Sequence, residues 1–114
     1  HLNRQFKLTQ YRIVMSDSDK ARIVDEIIER IAANDPSLTR AYLYDKGIGA
    51  AACVRIAEAL RGNTHLTELS LSYNGIGDDG ASALAETLKS NTTLTCLYLD
   101  DNNIGDDGAS ALAE

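Results

Sequence analysis

Apolar and polar residues alternate over short stretches of this chain, and a helical pattern follows each stretch. In residues 69–72 (LSLS) every second residue is apolar, which predicts a short strand with one buried side and one solvent-facing side. Apolar residues then recur at helical spacing, at Ala81, Leu84, Ala85 and Leu88. Alanine and leucine are strong helix formers, so the segment is predicted to be a strand, a turn and a helix.

The unit repeats every 28 residues. Residues 94–114 align with residues 66–86, and 16 of the 21 paired positions are identical. Residues 38–65 form a weaker copy of the same unit. One unit cannot bury the apolar sides of both its strand and its helix, so we expect stacked repeats at 38–65, 66–93 and 94–114, the last of them incomplete.

Two segments precede the repeats. Residues 16–37 start with several N-cap candidates and carry an apolar stripe, which predicts an N-terminal capping helix and turn; a partner-binding amphipathic helix is the alternative. The stripe consists of Ile23, Val24, Ile27, Ile28 and Ile31. Residues 1–15 hold three basic residues and no acidic one, which favours an extended basic arm or linker; a docking arm for an acidic partner is the alternative.

The last repeat stops at Glu114, before its helix would be complete. The counterparts of Leu88 and Leu94 are missing, so we expect a piece of a longer stack. An open C-terminal edge would expose apolar residues, and we expect it to be a site of self-association.

The repeat frame resembles a known class. Residues 38–114 follow the L-x-x-L-x-L-x-x-N frame, and the segment I-G-D-D-G-A-x-A-L-A-E at 28-residue spacing is similar to leucine-rich repeats of the ribonuclease-inhibitor type. That resemblance implies an α/β fold: a right-handed strand-turn-helix horseshoe, a solenoid segment with its parallel sheet on the concave side. It also implies non-enzymatic protein binding, as a scaffold or interaction module, through the concave face and the strand-end loops in an intracellular protein.

The same class includes the sensor halves of NOD-like receptors, tropomodulin-like actin-filament cappers and Ran GTPase activators. The stretch from the N-terminal helix through residues 34–39 is similar to the entry of the tropomodulin repeat domain. Actin-filament capping and GTPase activation of the Ran activator type are therefore alternative functions that the resemblance implies. A spacer role inside a large assembly is a further alternative.

The concave face is the predicted partner-binding surface. Four of the five differences between the two clean copies fall on its solvent-facing positions, which indicates a constant scaffold with an individual surface. Exposed tyrosine is typical of interface anchors, although tyrosine also favours strands in general. The candidate residues are Arg40, Tyr42, Tyr44, Asp45, Glu68, Ser70, Ser72, Tyr73, Cys96, Tyr98, Asp100 and Asp101.

Two asparagines end the predicted strands. Asn74 and Asn102 are expected to form a structural ladder, because the matching asparagine of leucine-rich repeats is buried and bonds the backbone of neighbouring turns. Lys46 takes this position in the first repeat and cannot accept a hydrogen bond, so the ladder is expected to begin at Asn74.

Charge narrows the classes of partner. Eleven Lys and Arg residues against seventeen Asp and Glu residues give a net charge of −6, which argues against nucleic-acid and membrane-surface binding. No apolar run is long enough to span a membrane, and no secretory leader is visible. Two cysteines suit a reducing compartment, so a cytoplasmic location is expected. Asp45, Asp100 and Asp101 would suit a protein partner with a basic surface.

Catalytic and metal chemistry are not predicted. The two histidines, His1 and His65, have no matching nucleophile or base, and no phosphate-loop or nucleophile-elbow motif occurs, so neither an enzyme nor a cofactor is expected. The acid pairs at 78–79 and 106–107 precede helices and are interpreted as N-caps rather than metal ligands. The sequon at residues 91–93 is interpreted as part of a structural turn.

Overall fold

The computed structural model describes residues 14–114, with four helices and three strands in that range. Of the predicted arm at residues 1–15, all but Val14 and Met15 lie outside the described residues. The elements are α1 (Asp17–Ala32), β1 (Arg40–Tyr42), α2 (Gly49–Leu60), β2 (Glu68–Ser70), α3 (Gly77–Leu88), β3 (Cys96–Tyr98) and α4 (Asp106–Ala113).

The three strands form one parallel sheet in the order β1-β2-β3. Ala41 pairs with Leu69, and Leu69 pairs with Leu97, so each strand is displaced from its neighbour by one 28-residue repeat. The predicted side-by-side, parallel arrangement of the strands is therefore confirmed. The fold is α/β, since each strand is followed by a helix.

The core lies between the sheet and the helices. Leu69 and Leu71 are completely buried, as the alternating pattern predicts, and each contributes roughly 1.5–3 kcal/mol by leaving water. Val24, Ile28 and Ile31 bury the stripe of α1 against the same core. Ser16 is the N-cap of α1, and its hydroxyl accepts a hydrogen bond from the Asp19 N–H at 3.1 Å.

Small residues allow the helices to approach closely. A Cβ on Gly80 would collide with the buried Ile76 side chain and lie 3.3 Å from the Cys53 sulfur. A Cβ on Gly108 would lie 2.7 Å from an oxygen of Asp78 and 3.1 Å from the Ala81 Cβ. Gly80 and Gly108 are thus required by the packing of α2, α3 and α4.

Asn74 connects the first two repeats. Its Oδ1 accepts hydrogen bonds from the N–H groups of Lys46 and Ile48, at 2.8 and 3.2 Å. Its Nδ2 donates to the carbonyl oxygens of Leu43 and Leu71, at 2.7 and 2.9 Å. The side chain therefore satisfies backbone groups that the short strands leave without a ladder partner.

Asn102 repeats this arrangement one unit later. Its Oδ1 accepts from the N–H groups of Asn74 and Ile76, at 2.8 and 3.4 Å, and its Nδ2 donates to the carbonyl of Leu71 at 2.8 Å. Lys46 has the equivalent position in the first repeat, and its side chain cannot accept a hydrogen bond. Its Nζ donates to the Tyr44 carbonyl. Within the described residues, the ladder of asparagine side-chain hydrogen bonds therefore starts at Asn74.

A second pair of asparagines organises the turns from helix to strand. Asn63 donates to the Ile31 carbonyl and accepts from the Leu66 N–H at 2.8 Å. Asn91 donates to the Leu60 carbonyl at 2.7 Å and accepts from the Leu94 N–H at 2.9 Å. Because Asn91 is buried and its Nδ2 is occupied, the sequon is part of the scaffold.

Asn74→Ala should lower the free energy of unfolding by at least about 3 kcal/mol, because it leaves several buried backbone groups unsatisfied at about 1–3 kcal/mol each. Urea unfolding followed by circular dichroism measures the change. Lys46→Ala, at the equivalent position of the first repeat, is the control and should cost less than about 1 kcal/mol. Equal losses in the two variants would contradict the role assigned to Asn74.

Candidate functional site

The sheet exposes a row of tyrosines. Tyr42, Tyr44, Tyr73 and Tyr98 are 58%, 53%, 50% and 44% exposed, and in the described range only Val14 is a further large hydrophobic residue with such exposure. All four belong to the predicted surface. They offer aromatic area with a polar tip, which is the composition of many protein interfaces.

The first group of candidate residues surrounds Glu68, the first residue of the central strand β2. The Tyr42 hydroxyl donates to Glu68 Oε2 at 2.9 Å, and Arg40 Nε lies 3.9 Å from Glu68 Oε1. The hydrogen bond to the Glu68 carboxylate raises the pKa of Tyr42. We call this the strand-centre cluster, consisting of Arg40, Tyr42, Glu68, Cys96 and Tyr98.

Tyr98 completes the strand-centre cluster from β3. A side-chain hydrogen bond with Cys96 raises the pKa of Tyr98, and the Glu68 carboxylate contributes in the same direction. Ser70 lies between Tyr42 and Tyr98 in the register and is half-buried. The two rings therefore lie on either side of β2, which has only the small Ser70 side chain at that register position.

The second group lies where the strands end, and we call it the strand-end surface: Tyr44, Asp45, Tyr73, Asp100 and Asp101. The rings of Tyr44 and Tyr73 have centroids 5.2 Å apart and are tilted by 58°. A hydrogen bond to the Asp101 carboxylate raises the pKa of Tyr73. All five residues are exposed.

The backbone of the strand-end surface has an unusual conformation. Asp45, Tyr73 and Asp101 have φ of 51°, 60° and 55°, in the left-handed region. Each lies in the turn after its strand and directly precedes the ladder position, which is Lys46, Asn74 or Asn102. Aspartate tolerates this conformation better than a bulky side chain does. The sequence analysis did not predict this conformation.

Ser72 is the exception among the candidates. It is only 7% exposed, so the expectation that it faces solvent is wrong. Its short side chain belongs to the central strand segment, with neighbouring strands on both sides and longer side chains at the flanking register positions. The alternation pattern gives the direction of a side chain and does not show how far neighbours cover it.

The acid pairs do not act as predicted either. Asp78 and Asp79 lie inside the first turn of α3, and the N-cap position is Ile76, which makes no side-chain capping bond. Asp78 instead reaches the next unit, where its Oδ1 accepts from the N–H groups of Gly105 and Gly108 at 2.7 and 3.1 Å. The N-cap interpretation is therefore wrong for the first pair, since Asp78 caps the following helix instead of its own. It is also wrong for residues 106–107, which lie inside the first turn of α4 after the N-cap Gly105. Both pairs still place negative charge at a helix N-terminus, where it suits the helix dipole.

The described residues offer little for metal or acid–base chemistry. Within residues 14–114 no three His, Cys, Asp or Glu side chains converge in a way that could hold a metal ion. His65 lies in a turn, with its Nδ1 3.0 Å from Asn34 Oδ1, apart from the sheet candidates. Cys53 is buried, and desolvation raises its pKa to about 12.

A groove beside α1 had no signal in the sequence. It has a volume of about 580 Å³, and Val24, Ile48 and Ala52 form part of its apolar lining. Three acidic and three basic side chains surround it, and the Asp25–Arg55 pair closes to 3.1 Å. The groove results from packing between α1 and the loop after β1. Because α1 lies outside the repeats, the 28-residue spacing does not predict this contact. Its mixed charge favours no class of ligand.

Stacked leucines, a 28-residue strand–helix unit and buried strand-end asparagines define a leucine-rich-repeat domain. The family model of the TMOD/LMOD leucine-rich domain matches residues 21–114, so the chain belongs to this family. The resemblance to ribonuclease-inhibitor-type repeats is confirmed, as is its link to tropomodulin. A comparison with curated proteins gave no match.

Solved structures are similar to the chain over most of its length. The structure titled leiomodin-1 actin-binding site 2 has a TM-score of 0.75 and 37% identity, covering 79% of this chain and 53% of that one. A tropomodulin C-terminal domain from Caenorhabditis elegans has a TM-score of 0.71 and 22% identity, covering 78% and 54%, and shows the shared fold. The chain spans about half the length of these two structures. No helix within residues 14–114 is both long and apolar enough to cross a membrane.

The two thiols should differ in reactivity, since the thiolate is the reactive form. We expect a small aromatic disulfide reagent at about pH 8 to modify Cys96, which is half-buried on the sheet face, and to leave Cys53 unmodified until the chain unfolds. Mass spectrometry of the labelled chain locates the modification. Cys96→Ser is the control and should abolish labelling of the folded protein. Rapid modification of Cys53 in that variant would contradict the buried position.

Proposed function

We propose that this chain is a non-enzymatic protein-binding module and that its partner is actin, bound through the concave face and the strand-end loops. The carrying observation is the row of four exposed tyrosines on a scaffold whose other large apolar residues are mostly buried. Membership of the TMOD/LMOD family and the similarity to a structure titled as an actin-binding site support the choice of partner. An actin partner would place the chain in the cytoplasm.

The scaffold in this proposal is a right-handed solenoid segment in which α1 caps the first repeat. Val24, Ile28 and Ile31 cover the core, while Asp25, Glu26 and Glu29 keep the outer side of the helix charged and exposed. A polar outer surface is what a terminal unit needs in order to end a stack. The exposed tyrosines can then serve binding without a role in folding.

The C-terminal edge of the sheet, formed by β3, supports a contact with a second copy of the chain. Leu97 and Leu99 are only half-buried, whereas Leu69 and Leu71 are completely buried one repeat earlier. The outer side of β3 has no strand partner among residues 14–114. We expect this edge to associate with a second copy of the isolated chain at high concentration, since an open strand edge with apolar neighbours is prone to pairing.

The function is tested by co-sedimentation with filamentous actin and by a fluorescence assay of monomeric actin. Combined replacement of Tyr42, Tyr98 and Asp100 by Ala should weaken binding at least about tenfold, which corresponds to about 1.4 kcal/mol. Exposed positions outside the buried core usually change stability by only about 0.5 kcal/mol, so the melting temperature should stay almost constant.

The matched control replaces three exposed residues on the helices, Ser82, Glu86 and Ser110, by Ala. It should bind actin like the unmodified chain. Loss of binding in the control alone would place the contact on the helical side and contradict the proposed face. Absence of binding to both forms of actin would overturn the choice of partner.

A further inference from the structure

The strand-end surface contains an aromatic side chain at a position that does not favour one. Tyr73 has φ of 60°, and the equivalent residues of the neighbouring repeats are Asp45 and Asp101, which have the same backbone conformation. A left-handed conformation is unfavourable for a bulky residue, and aspartate tolerates it better. The fold therefore does not require tyrosine at this position. A role for the ring has to be sought in its contacts.

Tyr73 forms an exposed aromatic pair with Tyr44. Their centroids are 5.2 Å apart, and both side chains remain about half exposed. The Asp101 carboxylate beside the Tyr73 ring raises the pKa of Tyr73, so the ring and the carboxylate lie close together. A pre-ordered aromatic surface loses little conformational entropy on binding, which favours recognition.

Three carboxylates adjoin the aromatic pair. Asp45, Asp100 and Asp101 are exposed, and none of them makes a salt bridge within the described part of the chain. Lys46 and Lys20 are nearby cations: Lys46 Nζ donates to the Tyr44 carbonyl at 2.8 Å, and Lys20 lines a hollow with Tyr44 and Asp45. Neither lysine forms a salt bridge with these carboxylates. The surface thus presents aromatic rings together with negative charge that the chain does not pair.

We propose that the strand-end surface binds an extended, arginine-bearing segment of a protein partner. Guanidinium groups stack on tyrosine rings and pair with carboxylates in a planar geometry, so arginine matches both features of the surface. This inference rests on the protein-binding part of the proposed function and holds independently of actin as the partner.

The geometry of the sheet suits an extended segment. Adjacent strands lie about 4.8 Å apart, so the three strand ends span about 10 Å. In an extended chain, side chains on the same side recur about every 6.7 Å, which lets two alternate arginines reach the surface at once. A segment that crosses the strand ends therefore places one guanidinium near the aromatic pair and another near Asp100 and Asp101.

The direct test uses a short fluorescein-labelled peptide with arginine at every second position, and measures anisotropy as the protein is titrated. We expect saturable binding that weakens as salt is added, because screening reduces contacts between exposed charges. Versions with lysine should bind several-fold more weakly, and versions with glutamate should not bind. Equal binding of the glutamate peptide would overturn the proposal.

Tyr73→Asp separates the aromatic contribution from charge. The variant places at residue 73 the residue type that the neighbouring repeats use, so the fold should be retained, and it makes the surface more negative. We expect peptide affinity to fall at least about fivefold if the ring stacks on arginine. Unchanged or tighter binding would show attraction by charge alone and would overturn the proposal. Tyr44→Ser changes a residue outside the left-handed position and should give a similar loss of peptide affinity. This variant provides the test if Tyr73→Asp is unfolded.

Asp45→Asn combined with Asp101→Asn removes two charges while keeping side chains that tolerate the left-handed backbone. Affinity should fall at least about tenfold, with a weaker dependence on salt. Glu58→Gln, an exposed position on α2, is the control and should change affinity less than about twofold. Equal effects of the control and the double variant would overturn the proposal. Peptide binding without actin binding would leave the proposed arginine-binding surface intact and would reject actin as the partner.

Discussion

The structure depends on the hydrogen bonds that each strand-end asparagine makes to the preceding unit. A strand of three residues makes few ladder bonds, and the chain must turn immediately into a helix. Asn74 resolves this by donating to the Leu43 carbonyl and accepting from Lys46 and Ile48. Burial of leucines drives the units together, and the asparagines fix where each strand ends and how the next segment leaves the sheet.

The candidate surface is a consequence of that turn. The residue immediately before each asparagine, or before Lys46 in the first unit, adopts a left-handed conformation, at Asp45, Tyr73 and Asp101. This brings side chains from three successive repeats to the same edge of the sheet. The buried amides therefore stabilise the fold and also bring exposed rings and carboxylates together.

Much of the fold could be predicted because each repeat encodes it locally. The alternation at residues 69–72 gives the strand, and the 28-residue period gives the parallel register that Leu69 and Leu97 confirm. Ser72 and Asp78 were misjudged because their surroundings come from other repeats: neighbouring strands cover the serine, and Asp78 bonds Gly105 and Gly108. The groove beside α1 depends on a contact between non-repeated and repeated segments, for which the period contains no information.

One identical segment shows how far the neighbouring repeat decides local structure. Residues 76–80 and 104–108 share the sequence IGDDG, yet Gly77 has φ of 69° and Gly105 has φ of −92°. The Gly77 N–H donates to the carbonyl of Asn102 in the following unit, whereas the Gly105 N–H donates to the carboxylate of Asp78 in the preceding one. The five residues are identical, so the difference follows the hydrogen-bond acceptors in the adjacent repeats, together with the preceding residue, which is Gly75 in one copy and Asn103 in the other. Local conformation in this fold is therefore a property of adjacent repeats, while the residues that vary between repeats remain free to determine what the surface binds.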